Sequence, residues 1–456
     1  MVAIIGAGIT GLSLASFLKQ KGIDCVVLEK DNRTGGQILT KKSNGFTYET
    51  GPNTGVVSNP SVARLFQILS QDPLIANQEA KCRYILKSNK LHRLPTGLWG
   101  GITTPLFTFR DKLYLLGEPF RKKGINPQED VASLAVRRLG KSFCDYAVTP
   151  FVGGIYAGDP TQLVTQYALP KLYNLEQQYG SFVRGSIALS KRKKSGEDKL
   201  VTKRMFSSQG GLSSLINSMV SFVGGERVKT STEVISVESI SDGDRRFRVV
   251  CTNAVGEREA FQASHVVSTV PSYALSSFLS SLVGDELVQP LTRLHYAPVI
   301  EIAVGFDKPI TRYHGYGVLT PVVEPCQILG ILFVSDFFPD RAPLGHSLYS
   351  VFMGGDRMPD MIHKSEEELI AIALDELYRL LQIDSKHRPI LVDVRCHSRA
   401  IPQYGASYSS HLEAVDQIQS QFPQLIIAGN LRDGVGMAHR IAQSELIANQ
   451  IAVDLS

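Results

Sequence analysis

The sequence has few cysteines, and their spacing argues against a disulfide framework or a metal site. Only six occur among 456 residues, and no two of them form a CxxC motif. Since disulfide scaffolds are rich in cysteine and zinc sites commonly use paired cysteines, we expect free thiols in a reducing compartment and no bound metal. The six are Cys25, Cys82, Cys144, Cys251, Cys326 and Cys396.

The sequence also lacks a long hydrophobic run. No apolar stretch reaches the roughly 18 residues of a membrane-spanning helix. The first apolar run, Val2–Ile5, starts so early that it leaves no room for a signal or transit peptide, so we expect a cytoplasmic protein. No nucleic-acid partner is expected, because aromatic residues are not interleaved with the basic ones and no nucleic-acid module is recognisable.

The excess of positive charge lies in one segment of the chain. The chain carries +5 in total, but residues 90–204 contain 19 basic and 9 acidic residues, a net of +10 that leaves −5 elsewhere. Within this segment, apolar residues near 106 and 115 are mixed with Arg110, Lys112 and Arg121–Lys123. Basic amphipathic helices dock on anionic membranes, but they also occur on soluble surfaces. Both interpretations remain open from the residues alone.

What the sequence does contain is a complete βαβ unit at its start. The run Val2–Ile5 leads into the glycine turn at residues 6–11, a helical stretch, a second apolar run at Cys25–Leu28 and then Glu29. The glycines permit a tight turn, close approach of a pyrophosphate and close packing of the helix, whose N-terminus attracts phosphate. Glu29 is placed to accept hydrogen bonds from a ribose. We therefore predict a bound dinucleotide, although this unit alone does not distinguish NAD from FAD.

Three later stretches have the composition of further cofactor contacts. Residues 33–37 contain two consecutive glycines, residues 51–54 form a Gly-Pro turn, and residues 429–437 place glycines between an apolar strand and the last helix. Glycine lets the backbone lie against a bound group, and the last stretch also ends at a helix N-terminus. Together they predict one long cofactor held by distant segments.

Local patterns predict several other elements. Asn59-Pro60 is typical of a helix start, and Ser365 with Glu368 forms a capping box. A hairpin is predicted near residues 82–99 with its bend at Ser88-Asn89, and a strand is predicted at Val228–Val237.

Taken together, the motifs resemble the amine-oxidase-type flavoproteins and, within them, the oxygen-dependent protoporphyrinogen oxidases. The most specific match is FVGGIYAGDP at Phe151–Pro160. LHRLPTGL at Leu91–Leu98, QGGL at Gln209–Leu212 and AIPQY at Ala400–Tyr404 add to it, and the resemblance covers essentially the whole chain. It implies a mixed α/β (α+β) fold with a Rossmann-like FAD-binding domain, a mixed-sheet substrate domain and a helical membrane-binding insert.

The resemblance also implies a division of the chain. The FAD-binding domain is expected from residues 1–80, 205–270 and 405–456, and the substrate domain from 81–92 and 271–404. The insert is expected at 93–204, which contains most of the basic segment. It would contact an anionic membrane surface, and a homodimer is a further expectation.

The implied reaction is the six-electron oxidation of protoporphyrinogen IX to protoporphyrin IX, with molecular oxygen as acceptor and hydrogen peroxide as by-product. FAD would be bound non-covalently, because the last cysteine precedes the C-terminal glycine element. No catalytic side chain is expected, since the flavin carries the redox chemistry. His314, His397 and His439 are predicted to be surface or structural residues and not catalytic ones.

The resemblance assigns residues to each ligand. Those expected to bind FAD are Gly6, Ala7, Gly8, Ile9, Thr10, Gly11, Glu29, Lys30, Gly36, Gln37, Gly51, Pro52, Asn53, Thr54, Val234, Gly429, Val435, Gly436 and Met437. Those expected to bind the tetrapyrrole are Arg93, Trp99, Gly154, Leu329 and Phe352. Gln37 replaces a basic residue often found there, and Trp99 stands where some members have a propionate-binding arginine, a role for which Arg93 is the candidate.

Alternatives remain at this point. Coproporphyrinogen III, which has four propionates, is a related substrate, and an amine oxidase or carotenoid desaturase shares the fold. A flavin-binding scaffold without turnover belongs to a different functional class.

Overall fold

The computed structural model describes residues 1–95, 97–191, 196–242 and 245–456. The strands are β1 Val2–Ile5, β2 Cys25–Leu28, β3 Thr40–Ser43, β4 Phe46–Glu49, β5 Gly55–Val56, β6 Leu74–Ile75, β7 Arg83–Lys87, β8 Lys90–Arg93, β9 Met205–Ser207, β10 Val228–Lys229, β11 Glu233–Asp242, β12 Arg245–Thr252, β13 Arg258–Ala263, β14 His265–Ser268, β15 Tyr296–Phe306, β16 Gly317–Leu319, β17 Gly330–Leu332, β18 Ser347–Gly354, β19 Leu391–Pro402 and β20 Leu425–Ile427. The α-helices are α1 Ile9–Gln20, α2 Pro60–Ile68, α3 Gly97–Thr103, α4 Phe109–Leu116, α5 Val131–Leu139, α6 Lys141–Phe143, α7 Thr149–Tyr156, α8 Thr165–Ala168, α9 Pro170–Tyr179, α10 Phe182–Ser190, α11 Leu212–Val223, α12 Ser276–Val283, α13 Asp285–Thr292, α14 Val334–Phe337, α15 Glu366–Leu381, α16 Tyr408–Gln421 and α17 Met437–Asp454.

A five-stranded parallel sheet forms the first layer. Its spatial order is β10-β2-β1-β14-β20. Alternate residues face opposite sides: Val2 and Ile4 pack with α1, α11 and α17, whereas Ala3 and Ile5 pack with β11–β13 and helices α12, α13 and α16. Because both faces are covered, β1, β2 and β20 are apolar throughout.

A seven-stranded mixed sheet forms the second layer, in the order β19-β15-β18-β17-β16-β7-β8. Helix α15 covers one face, where Ile300 and Ile302 of β15 pack against Leu369 and Leu377. Val299 and Glu301 therefore point to the opposite face. That second face is the one that borders the cavity described below.

Several local predictions are confirmed. Pro60 begins α2 with Asn59 as its N-cap, and the capping box of Ser365 with Glu368 begins α15. Strands β7 and β8 pair as a hairpin, whose bend residues Ser88 and Asn89 have φ of 51° and 58°.

One strand prediction is wrong. Residues 228–237 do not form a single strand, because β10 ends at Lys229 and β11 begins at Glu233 in a different sheet. Ser231 between them has φ of 50°, and its N–H donates to the carbonyl of Asp31 at 2.8 Å. This backbone contact turns the chain away from the parallel sheet.

Helices α3–α10 follow the β7–β8 hairpin and form the helical region of the chain. Their interior contains a buried ion pair between Arg138 and Glu118, whose carboxylate also accepts from the Ser181 hydroxyl at 2.5 Å. Among the described residues, no helix combines the length and the apolar character needed to span a bilayer. The predicted mixed α/β class is confirmed, whereas the predicted domain boundaries and the membrane role of these helices stay predictions.

Candidate active site

The glycine turn between β1 and α1 is shaped to receive a phosphate. A Cβ on Gly11 would lie 2.0 Å from the Gly6 carbonyl oxygen, so the helix packs directly on the turn. A Cβ on Gly8 would meet nothing within 4 Å. The open space therefore lies at Gly8, at the N-terminus of α1, where free N–H groups attract an anion. Ile9 and Thr10 form the first helical residues.

Glu29 closes the other side of this turn. Its carboxylate accepts from the Ala7 N–H at 2.7 Å and from the Asp31 N–H at 3.0 Å. The side chain is buried at the carboxyl end of β2, while Lys30 beside it is exposed. The structure thus places the predicted ribose-binding acid next to the predicted phosphate turn.

The double glycine and the Gly-Pro turn are stacked on each other. Gly36 lies against Gly8, and a Cβ on Gly51 would lie 2.1 Å from the Gln37 carbonyl oxygen. The Gln37 side chain donates to the Ala400 carbonyl at 3.0 Å. It therefore ties this loop to β19 with an uncharged amide, in place of a basic side chain.

The C-terminal element presents a second helix N-terminus. Gly429 follows β20 with φ of 104°, and Gly436 is the N-cap of α17. Buried Arg440 donates to the carbonyls of Gly429 and Arg432 and so fixes the loop between them. Sequence reasoning missed Arg440, although a cation inside an otherwise apolar helix face was a usable signal.

A cavity of about 400 Å³ lies between the seven-stranded sheet, α7 and the C-terminal element. The predicted site residues that line it are Gln37, Gly51, Pro52, Asn53, Thr54, Gly154, Leu329, Phe352, Val435, Gly436 and Met437. The structure thus brings the expected flavin end and three of the expected substrate residues, Gly154, Leu329 and Phe352, to one place. The phosphate turn, Glu29, Lys30, Gly36 and Gly429 lie outside this cavity lining.

Of the remaining predicted residues, Val234 and Arg93 are not brought to the cavity. Val234 is buried in the core beside β12, two residues beyond Thr232, whose N–H donates to the Glu29 carbonyl. Arg93 is exposed at the end of β8 and is absent from the cavity lining. Trp99 belongs to α3, but its side chain lies outside the described part of the structure.

Two titratable groups on the cavity wall were not predicted to be functional. Burial raises the pKa of Glu301 on β15 to about 8. Burial lowers the pKa of His397 on β19, whose Nε2 is 2.7 Å from the Thr50 carbonyl oxygen. His397 pairs with Val299, so both titratable groups share one face of the sheet. A single acid inside the apolar run 299–306 was the available signal for Glu301.

The residues present fit a flavin dinucleotide. The pyrophosphate can approach the backbone in the open space at Gly8, near the two helix N-termini. Glu29 is placed to bind the ribose of the adenosine portion. The apolar cavity beside residues 435–437 suits a flat aromatic ring system. Within the described residues, no group of histidine, cysteine and acidic side chains could hold a metal ion.

Comparison with known proteins agrees with this geometry. A family model for flavin containing amine oxidoreductase matches residues 9–439. Protoporphyrinogen oxidase 2 of Arabidopsis thaliana is 29% identical over 97% of this chain and 91% of its own length. Coproporphyrinogen III oxidase of Bacillus subtilis is 24% identical over 97% and 96% of the two chains.

Solved structures show the same fold. A structure from Exiguobacterium, provisionally named as a protoporphyrinogen oxidase, has a TM-score of 0.79 at 22% identity and covers 99% of this chain and 98% of its own. Cyclohexylamine oxidase from Brevibacterium oxydans has a TM-score of 0.72 at 15% identity, covering 100% of this chain and 99% of its own. The predicted resemblance and the predicted cofactor are confirmed: the chain belongs to the family of flavin-containing amine oxidoreductases, and its cofactor is FAD.

Proposed function

We propose that this protein oxidises protoporphyrinogen IX to protoporphyrin IX, with molecular oxygen as the electron acceptor. The cavity carries the proposal, because its lining is largely apolar and joins the residues beside the flavin to the substrate-domain sheet. A porphyrinogen is a bulky, mostly apolar macrocycle that such a cavity suits. Bound FAD supplies the hydride-accepting ring, and three oxygen molecules reduced to three hydrogen peroxide molecules balance the six electrons removed.

The chain's own residues bind and orient the macrocycle. Leu329 and Phe352 provide apolar walls on neighbouring parts of the sheet, and Gly154 of α7 faces them. A Cβ on Gly154 would lie 3.1 Å from the Leu319 side chain, so glycine at this position keeps the cavity open between the helix and the sheet.

Coproporphyrinogen III is the second candidate substrate, since relatives from Bacillus subtilis and Staphylococcus aureus carry the name coproporphyrinogen III oxidase. Charge favours protoporphyrinogen IX. Among the described residues that line the cavity, there is no lysine or arginine. Four propionates would need more cationic partners than two, and two can point together toward the cavity mouth.

A parallel assay separates these functions. The FAD-loaded protein is mixed in air with protoporphyrinogen IX, coproporphyrinogen III or cyclohexylamine, and porphyrin fluorescence, peroxide and oxygen uptake are recorded. We expect rapid fluorescence gain with protoporphyrinogen IX and none without oxygen. Faster turnover of coproporphyrinogen III would overturn the substrate assignment. Peroxide from the amine alone would indicate an amine oxidase, and no flavin reduction by any of them under anaerobic conditions would indicate a scaffold.

We also propose that the helical region docks on an anionic membrane surface. Phe109, Leu116, Phe120 and Ile125 are 71–93% exposed. They lie close in sequence to the exposed basic side chains of Arg110, Lys122 and Lys123. Apolar side chains that enter a bilayer beside cations that bind anionic headgroups would produce salt-sensitive binding.

Flotation on vesicles tests this docking. We expect binding to vesicles that contain phosphatidylserine, loss of binding in high salt, and loss in the double variant Phe120→Ser, Ile125→Ser. Val255→Ser is the matched control, because Val255 is 76% exposed outside this region. The proposal would be refuted if binding did not depend on lipid charge and salt concentration, or if the double variant bound as well as the unmodified protein.

A further inference from the structure

Glu301 is an acid in an environment built for apolar residues. It lies in the middle of β15, opposite Phe352 of β18, and its side chain is 2% exposed. Its neighbours Ile300 and Ile302 point to the α15 face, whereas Glu301 points to the face that borders the cavity. A carboxyl group at such a position needs partners in the protein or in the bound ligand.

The two carboxyl oxygens of Glu301 differ in their hydrogen bonds. Oε1 accepts from the side-chain amide of Asn53 at 2.6 Å. That amide is held in place by two more contacts, since its Nδ2 also donates to the Gly51 carbonyl and its Oδ1 accepts from the Ser350 hydroxyl. Oε2 has no hydrogen-bond partner among the described residues.

Burial favours the neutral form of Glu301 and is the largest influence on its pKa. Hydrogen bonds from Asn53 and Ser350 lower the pKa, and the negative charges of Glu49 and Asp393 raise it, so that it reaches about 8. His397 on the same face is held neutral by burial. Arg395 pairs opposite Glu301 on β19, but its side chain is exposed. The raised pKa favours the protonated carboxylic acid at neutral pH.

In a neutral acid whose Oε1 accepts a hydrogen bond, the hydrogen resides on Oε2. That hydrogen needs an acceptor. The macrocycle of a porphyrinogen presents pyrrole N–H donors, whereas an isoalloxazine ring presents nitrogen and carbonyl-oxygen acceptors. We propose that Glu301 donates the hydrogen on Oε2 to an acceptor atom of the bound flavin ring, directly or through one water. This inference rests on the flavin site that the proposed function uses, and it does not depend on which substrate is oxidised.

The absorption spectrum of the bound flavin tests the contact without any substrate. The FAD-loaded protein is titrated through the pH range around 8 and its visible spectrum is recorded. We expect the maxima of the unmodified protein to shift with a single apparent pKa near 8, because loss of the Oε2 hydrogen replaces a donor with a negative charge beside the ring.

Two variants of Glu301 distinguish the effect of losing the hydrogen-bond donor from the effect of losing the ionisable group. Glu301→Gln keeps an acceptor for Asn53 and an N–H donor but cannot ionise, so its spectrum should match the low-pH form of the unmodified protein at every pH. Glu301→Leu lacks the donor, so its spectrum should be independent of pH and displaced from that of the glutamine variant. If Glu301→Leu does not fold, the glutamine variant alone decides the question.

Two results would overturn the inference. One is a spectral transition that persists in Glu301→Gln, which would assign it to another group such as His397. The other combines two measurements on the unmodified protein: the flavin spectrum does not change with pH, while the pH dependence of the unfolding free energy shows that Glu301 does titrate. Neither result would bear on porphyrinogen turnover, so a wrong substrate assignment remains distinguishable from a wrong role for Glu301.

Discussion

Replacing Gly8 by valine should remove FAD while leaving the fold intact. Gly8 has φ of −75° and ψ of −176°, which an L-residue adopts without strain, and a Cβ there meets no atom within 4 Å. We therefore expect the unfolding free energies of the cofactor-free variant and the cofactor-free parent to differ by less than about 0.5 kcal/mol, as is usual for substitutions away from packed features. The same open space is where the pyrophosphate must approach the backbone, so the added methyl groups displace it.

Mass action gives the size of the effect. At a free FAD concentration of 100 times the dissociation constant, binding stabilises the parent by about 2.7 kcal/mol. An affinity loss of about 100-fold would reduce this stabilisation to about 0.4 kcal/mol at the same FAD concentration. Urea unfolding with and without FAD, together with flavin absorbance per chain after gel filtration, measures both quantities.

Two further glycine variants define the outcome. Gly225→Val is the matched control, because Gly225 is exposed and its Cβ would also meet nothing within 4 Å. Gly11→Ala should behave in the opposite way: its Cβ would lie 2.0 Å from the Gly6 carbonyl oxygen, so it should lower stability by about 1–3 kcal/mol even without FAD. Stoichiometric flavin with unchanged affinity in Gly8→Val would refute the assignment of the phosphate turn.

Three other changes have defined outcomes. Arg440→Met should lower the unfolding free energy by about 1–3 kcal/mol and reduce bound FAD, because it removes the side-chain donors to the carbonyls of Gly429 and Arg432; urea unfolding and flavin absorbance measure this. Gly154→Leu should fill part of the cavity and raise the KM for the porphyrinogen at unchanged FAD content, and an unchanged KM would contradict the placement of the substrate. The pKa of Glu301 is raised from the ordinary 4.5 to about 8 in the folded state, so the unmodified protein should lose stability as pH rises through that window. Glu301→Gln cannot ionise, so its stability relative to the unmodified protein should increase between pH 4.5 and about 8 and stay constant above that range. Urea unfolding at both ends of the window checks this, and a constant difference between the two proteins would show that Glu301 is already ionised.

The cofactor end of the site could be predicted from sequence because its information is local. The turn at residues 6–11, the acid at residue 29 and the helix that joins them lie within one short βαβ unit, and their spacing reflects strand and helix lengths. The same reasoning applies to the caps at Asn59 and Ser365, where one side chain satisfies a backbone group three residues away.

The cavity wall could not be predicted in the same way. Glu301 meets its partner Asn53 across 248 positions of sequence, and no periodicity links them. His397 reaches the wall through its register with Val299, which is a property of the β15–β19 pairing and not of either strand alone. Arg93 shows the opposite kind of error. Its charge made it a candidate for binding a substrate propionate, but its side chain is exposed at the end of the β7–β8 hairpin.

The order of strands in the five-stranded sheet has a consequence for biosynthesis. β1 lies between β2 and β14, and the next position is occupied by β20, which comes from residues 425–427. The loop and helix that complete the flavin site follow directly after β20. The binding site therefore cannot close until synthesis has passed α17, so FAD is a late ligand that stabilises the finished fold and not the growing one.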